Sequence, residues 1–131
     1  MTNLPRRSAP ILALVALLLV ALAACSGGGA AASASPPSGV DASIDAKDLK
    51  FAVATLTLPA GKPVRLFFRN LDGAPHNVAI YADAGATQKV FVGETITNAA
   101  TTYEIPAIVA GQYTFRCDVH PDMKGTLTVG G

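Results

Sequence analysis

The chain has 131 residues, with 10 Lys and Arg against 9 Asp and Glu and a formal net charge of +1. That balance offers no basic surplus for a phosphate backbone and predicts no nucleic-acid partner. Once the N-terminal segments below are set aside, roughly ninety residues remain, enough for one hydrophobic core and not for two.

Arg6 and Arg7 precede an unbroken apolar run from Ile11 to Ala24 that ends in Leu22-Ala23-Ala24-Cys25. A positive start, a short apolar run and a small-residue end predict a signal peptide over residues 1–24. The run is about fourteen residues, short of the roughly twenty that a stable bilayer-spanning helix needs, which disfavours a permanent transmembrane anchor. Ser8-Ala9-Pro10 stand where a twin-arginine signal would carry apolar residues, so the arginine pair reads as an ordinary positive region. The Leu-Ala-Ala-Cys ending resembles the lipobox of bacterial lipoproteins. That resemblance implies acylation of Cys25 and an exported protein, lipid-anchored to the outer face of the cytoplasmic membrane or in the periplasm or cell envelope. The alternative is that Cys25 borders an ordinary soluble-secretion cleavage site. Loss of the leader removes Arg6 and Arg7, leaving about eight basic against nine acidic side chains.

From Ser26 to Gly39 the sequence is almost wholly Ser, Gly, Ala and Pro, a composition that buries too little apolar surface to offset its ordering entropy. Residues 25–39 are therefore the lipidated Cys25 and a flexible tether, and residues 40–131 a single folded domain.

Within that domain, alternating apolar and β-branched residues predict strands at Ala42 to Ala46, Ala52 to Leu58, Val64 to Arg69, Asn77 to Ala82, Lys89 to Val92, Thr101 to Ile105, Gln112 to Cys117 and Thr126 to Val129. Turn signals separate them, among them Pro59-Ala60-Gly61, Asn70-Leu71-Asp72-Gly73, Asp83-Ala84-Gly85 and Ala110-Gly111. No capped helical pattern of three turns follows the leader, and five prolines from Pro59 to Pro121 interrupt any attempt at one. The predicted fold is all-β, a Greek-key sandwich or barrel of about eight strands. Strand alternation puts Tyr113, Phe115 and Cys117 on one inward face, with Gln112, Thr114 and Arg116 on the other.

Cysteine usage is the next constraint. With Cys25 acylated, Cys117 has no disulfide partner in an oxidising compartment. It is then either a small buried apolar residue or a thiolate held by a metal. Only two histidines exist, and His120 stands three residues after Cys117 and three before Met123. His76 lies at the start of the Asn77 to Ala82 strand. If that strand neighbours Gln112 to Cys117, His76 and Cys117 emerge at one pole, and a short loop can bring His120 and Met123 to it. One thiolate, two imidazoles and a thioether form a soft mixed set, and trigonal His₂Cys with a long axial Met marks a blue-copper site. Structural zinc wants four strong ligands. A binuclear copper centre needs a second cysteine in the loop, and Asp118-Val119 supplies none. Multicopper chemistry needs more histidines and a second domain.

The run from Gly111 to Val129 resembles the C-terminal ligand loop and last strand of the cupredoxins, and Pro75-His76-Asn77 resembles their upstream histidine. The resemblance spans about Asp41 to Gly131. It implies one Cu(I)/Cu(II) ion per chain, with His76, Cys117 and His120 as strong equatorial ligands and Met123 as the weak axial one. Asn77 matches the family's asparagine that braces the two ligand loops, and His120 its solvent-side electron port. The Cys-x2-His-x2-Met spacing is similar to that of the amicyanins, whereas plastocyanins and pseudoazurins place the methionine two residues further on.

The resulting expectation is a monomeric, non-enzymatic carrier of single electrons between membrane-associated or extracytoplasmic redox partners. The rival is a copper-binding module for storage, delivery or tolerance. The charges of Arg116, Asp118, Asp122 and Lys124 around the loop are either ordinary solvated residues or a steering field for a redox partner.

Overall fold

The computed structural model of the protein describes residues 33–131; the predicted leader and Cys25 lie outside the described residues. The strands in chain order are β1 (Ala42–Lys47), β2 (Lys50–Phe51), β3 (Thr55–Leu58), β4 (Val64–Asn70), β5 (Ala79–Tyr81), β6 (Lys89–Val92), β7 (Ala99–Ile105), β8 (Gly111–Arg116) and β9 (Lys124–Val129). One sheet has the order β2-β1-β4-β7 and the other β3-β9-β8-β5-β6. Both are mixed: β1 runs parallel to β4 and β3 parallel to β9. The two sheets face each other as a sandwich.

Alternation builds the core. Ile44, Ala46, Leu66 and Phe68 from the first sheet meet Leu56, Leu58, Ile80, Phe115, Leu127 and Val129 from the second, all in one buried cluster. Phe115, fully buried, contributes about 1.5–3 kcal/mol of burial. Its strand partner is Gly125, and its ring occupies the space a side chain there would need. The Phe51 ring meets it edge-on at 5.2 Å.

The expected strands are present with ends shifted by a few residues, and β2 is additional, making nine among the described residues. The extra strand closes a tight hairpin with β1 through Asp48 and Leu49, whose φ values are 53° and 57°. Two successive left-handed residues make the turn type that suits strand twist. Leucine is a poor occupant of that conformation, which costs of order 1–3 kcal/mol unless the surroundings hold it.

The described end of the Ser/Gly/Ala/Pro segment lies against the first sheet. Arg69 donates to the carbonyl of Ala34 at 3.0 Å, and Arg65 to those of Ser38 and Gly39 at 3.3 and 3.1 Å. Pro36 and Phe67 line one concavity there, so Phe67 is buried although it points away from the core.

A Cβ at position 125 would lie 2.5 Å from the carbonyl oxygen of Ala54, an atom already fixed by the N–H of Thr126 at 2.9 Å. Gly125→Ala is therefore expected to destabilise the domain by about 1–3 kcal/mol through overpacking. Urea unfolding should show a lower midpoint at unchanged slope.

Candidate metal centre

β5 and β8 pair antiparallel with Ala79 opposite Arg116. The residues just before β5 and just after β8 therefore lie at the same pole. His76 and Cys117 are both fully buried there, and His120 is half-buried. His76 is fixed through its backbone by reciprocal bonds with Ile96, 3.0 Å from its own N–H and 2.9 Å to its carbonyl.

The loop after β8 is closed by two backbone bonds. The Cys117 N–H donates to the Met123 carbonyl and the Met123 N–H to the His120 carbonyl, each at 2.9 Å. Met123 is buried at the foot of the loop and lines a concavity with His120, Pro121 and Leu49.

The two imidazoles converge through the same nitrogen. His76 Nδ1 and His120 Nδ1 are 3.1 Å apart, and Cys117 Sγ lies 3.7 and 3.9 Å from them. Donor atoms this close together are within reach of one metal ion, which His76, Cys117 and His120 would hold through two imidazole nitrogens and a thiolate sulfur. Among the described residues this is the one group of three or more His, Cys, Asp or Glu donors placed to share an ion.

Asn77, also buried, spans the pole as a brace. Its Oδ1 accepts from the Asp118 N–H at 2.8 Å and its Nδ2 donates to the Gly93 carbonyl at 3.1 Å. It ties the segment after His76 to the residue after Cys117.

Two groups of functional interest are not singled out by the sequence. The first is Asp72, whose carboxylate accepts from Nε2 of His76 at 2.9 Å. Burial pushes its carboxyl pKa up, but the N–H groups of Leu49 and Asp48 and the His76 ring outweigh that and hold it below the ordinary carboxylate value. The second is a trio beside Cys117. The Tyr81 hydroxyl donates to Asp118 Oδ1 at 2.6 Å, Arg116 Nε donates to the same oxygen at 3.1 Å, and the guanidinium lies 4.6 Å from the centre of the Tyr81 ring. Burial, and then the Asp118 carboxylate, push the Tyr81 phenol pKa up. Two of the four loop charges are thus engaged with the wall of the domain, whereas Asp122 and Lys124 are exposed. An i, i+4 spacing of Asp72 and His76 in a turn is the only sequence signal for the first group; no local signal marks the second.

Comparison with known proteins agrees with this architecture. A family model described as a cupredoxin-like domain matches residues 12–129. Plastocyanin A/B of Petroselinum crispum is 34% identical over 91 residues, spanning 65% of this chain and 92% of that protein. The amicyanin of Paracoccus versutus superposes with a TM-score of 0.56 at 29% identity, covering 76% of this chain and 88% of its own. Reduced auracyanin of Roseiflexus castenholzii shares the fold, with a TM-score of 0.59 at 20% identity over 69% of this chain and 96% of that one.

Removing the asparagine side chain leaves the Asp118 N–H and the Gly93 carbonyl without these partners. Asn77→Ala is expected to lower the unfolding free energy of the metal-free domain by about 1–3 kcal/mol, read by denaturant titration. Unchanged stability would show that the brace contributes no energy.

Proposed function

The chain belongs to the cupredoxin-like domain family, and on that premise we propose that it carries single electrons through one copper ion held by His76, Cys117, His120 and Met123. The observation that carries this reading is the convergence of two Nδ1 atoms and one thiol sulfur, 3.1 to 3.9 Å apart, at a pole where Cys117 and His76 are fully buried.

The donor set fits copper. A thiolate and a thioether suit Cu(I), imidazoles suit Cu(II), and a trigonal His₂Cys arrangement with a weak Met satisfies both without strongly favouring either. Copper would supply the one-electron couple. The protein holds the donors still, because His76 is locked into the sheet at Ile96, Cys117 stands at the end of β8, and His120 and Met123 share a loop closed by two backbone bonds. Donors that do not move between oxidation states leave little nuclear rearrangement to slow the transfer. Burial of Cys117 keeps oxidants and competing thiols from its sulfur. The half-buried His120 offers the ligand edge nearest solvent, and so the port for a partner.

The placement of the carrier belongs to the same reading: an exported protein, cleaved after Ala24 and held to a membrane by a lipid on Cys25, with residues 25–39 as the tether and residues 40–131 as the copper domain. It docks transiently, as a monomer, with redox protein partners. The resident ion serves electron traffic rather than copper storage or delivery, because a closed constellation with one fully buried thiolate suits retention.

The copper(II)-loaded protein is expected to show an intense thiolate-to-copper visible band and a narrow parallel hyperfine splitting in electron paramagnetic resonance. A colourless Cu(II) adduct would overturn the reading. Cys117→Ser should abolish the band, and Met123→Leu should keep it while raising the reduction potential. Fast electron self-exchange with slow copper loss to a chelator is expected of an electron carrier; slow exchange with rapid loss would instead identify a copper-delivery module.

A further inference from the structure

In the sequence Asp72 is part of a turn, but in the fold its carboxylate joins two separate parts of the metal pole. Oδ1 accepts from the N–H of Asp48 at 2.8 Å, and Oδ2 accepts from the N–H of Leu49 at 3.1 Å and from His76 Nε2 at 2.9 Å. The backbone of Asp72 is held in turn, its N–H by Asn70 Oδ1 at 2.8 Å and its carbonyl by the Asn98 N–H at 3.0 Å. Asn70 is itself buried and donates to the carbonyls of Ala74 and Ile96 at 2.8 and 2.7 Å. The carboxylate is thus mounted on a framework, with its side chain 15% exposed beside a fully buried His76.

An ionised carboxylate only accepts, so Nε2 of His76 carries the hydrogen and Nδ1 keeps its lone pair, directed at the Cys117 and His120 donors. A negative charge on the far side of an imidazole raises its basicity as a ligand and favours the more highly charged ion. The same carboxylate clamps the left-handed Asp48-Leu49 turn, whose Leu49 stands 53% exposed at the rim of the concavity that His120 lines.

We propose that Asp72 is the positioning residue for His76: it fixes the ring and its tautomer, strengthens Nδ1 as a donor, biases the couple toward the oxidised ion, and links that bias to the β1–β2 turn. This rests on the copper reading above.

Long-range ¹H–¹⁵N spectra of the metal-free protein at mildly alkaline pH should show His76 in the Nε2–H form. In the copper-loaded protein, Asp72→Asn preserves size but removes the charge. It is expected to weaken Cu(II) relative to Cu(I) binding by about tenfold or more, read as a reduction potential higher by about 59 mV or more. A blue protein whose potential does not move in Asp72→Asn, while its unfolding midpoint falls, would assign Asp72 to the hairpin alone and overturn this proposal by itself. Absence of the blue band in the unsubstituted protein would overturn the copper reading and this proposal with it. If Asp72→Asn does not fold, the tautomer in the unsubstituted protein still decides: His76 in the Nε2–H form supports the proposal, and the Nδ1–H form overturns it.

Discussion

The metal pole depends on one antiparallel register, Ala79 opposite Arg116 between β5 and β8. β5 leads away from the pole and β8 returns to it, so His76 before the first and Cys117 after the second arrive at the same level. Side chains alternate along a strand, so a slip of one residue would turn Cys117 from the core to the other face of the sheet. The register is held where it could slip. Ile80 and Phe115 face each other in the core, Phe115 fills the space above Gly125, and the Asn77–Asp118 bond continues the link beyond the last β5–β8 pair. Each of these contacts lies within a few residues of a donor atom, so the packing of the second sheet and the geometry of the centre are one problem.

A short loop completes what the register begins. Between Cys117 and Met123 the chain reverses with two internal backbone bonds, and few torsions remain to be frozen when a fourth donor is added. A longer loop would lose more conformational freedom on closure. The loop also separates the two imidazoles by environment: His76 is sealed in the core, while His120 shares a concavity open to solvent with Val119 and Pro121. Rigidity and access are therefore divided between the two imidazoles, and in the proposed reading a partner would approach on the His120 side without disturbing the buried half of the centre.

Much of this was legible in the sequence. Cys117, His120 and Met123 declare themselves by spacing, and the alternation of Gln112 to Cys117 already places the thiol inward. His76 required the further step of pairing two strands, and that pairing is the observed one. The elements that escaped are those fixed by partners remote in sequence. β2 has only two residues, and its turn carries Asp-Leu where a local rule would ask for Asn-Gly or Asp-Gly; the missing preference is supplied by Asp72, 24 and 23 residues further on. Tyr81 and Asp118 are 37 residues apart, and neither is distinctive alone. Arg116 and Asp118 looked like loop charges, either ordinary solvated residues or a steering field for a partner, but the hydroxyl of Tyr81 draws them against the domain. Local chemistry selects the donors; what aims them is tertiary.

Charge balance gives the arrangement around Asp72 its logic. A buried thiolate is costly without a compensating cation, and in the proposed reading a copper ion held by Cys117 would supply one. On that reading Cu(II), one thiolate and the Asp72 carboxylate would make the pole formally neutral, and Cu(I) would leave it one negative charge. A carboxylate sealed fully in the core would make that reduced state expensive, and one in bulk water would be screened from the metal. Asp72 sits between these limits, mostly buried yet in contact with solvent, and it would act on a bound ion through the imidazole of His76. Two backbone N–H groups from a strained turn share its charge, so main-chain donors help to hold a carboxylate close to the centre. The same bonds hold a leucine in a conformation it would otherwise avoid. The turn and the ligand stabilise each other through one side chain, and the position of the hairpin tip beside His120 follows from the bond that orients His76.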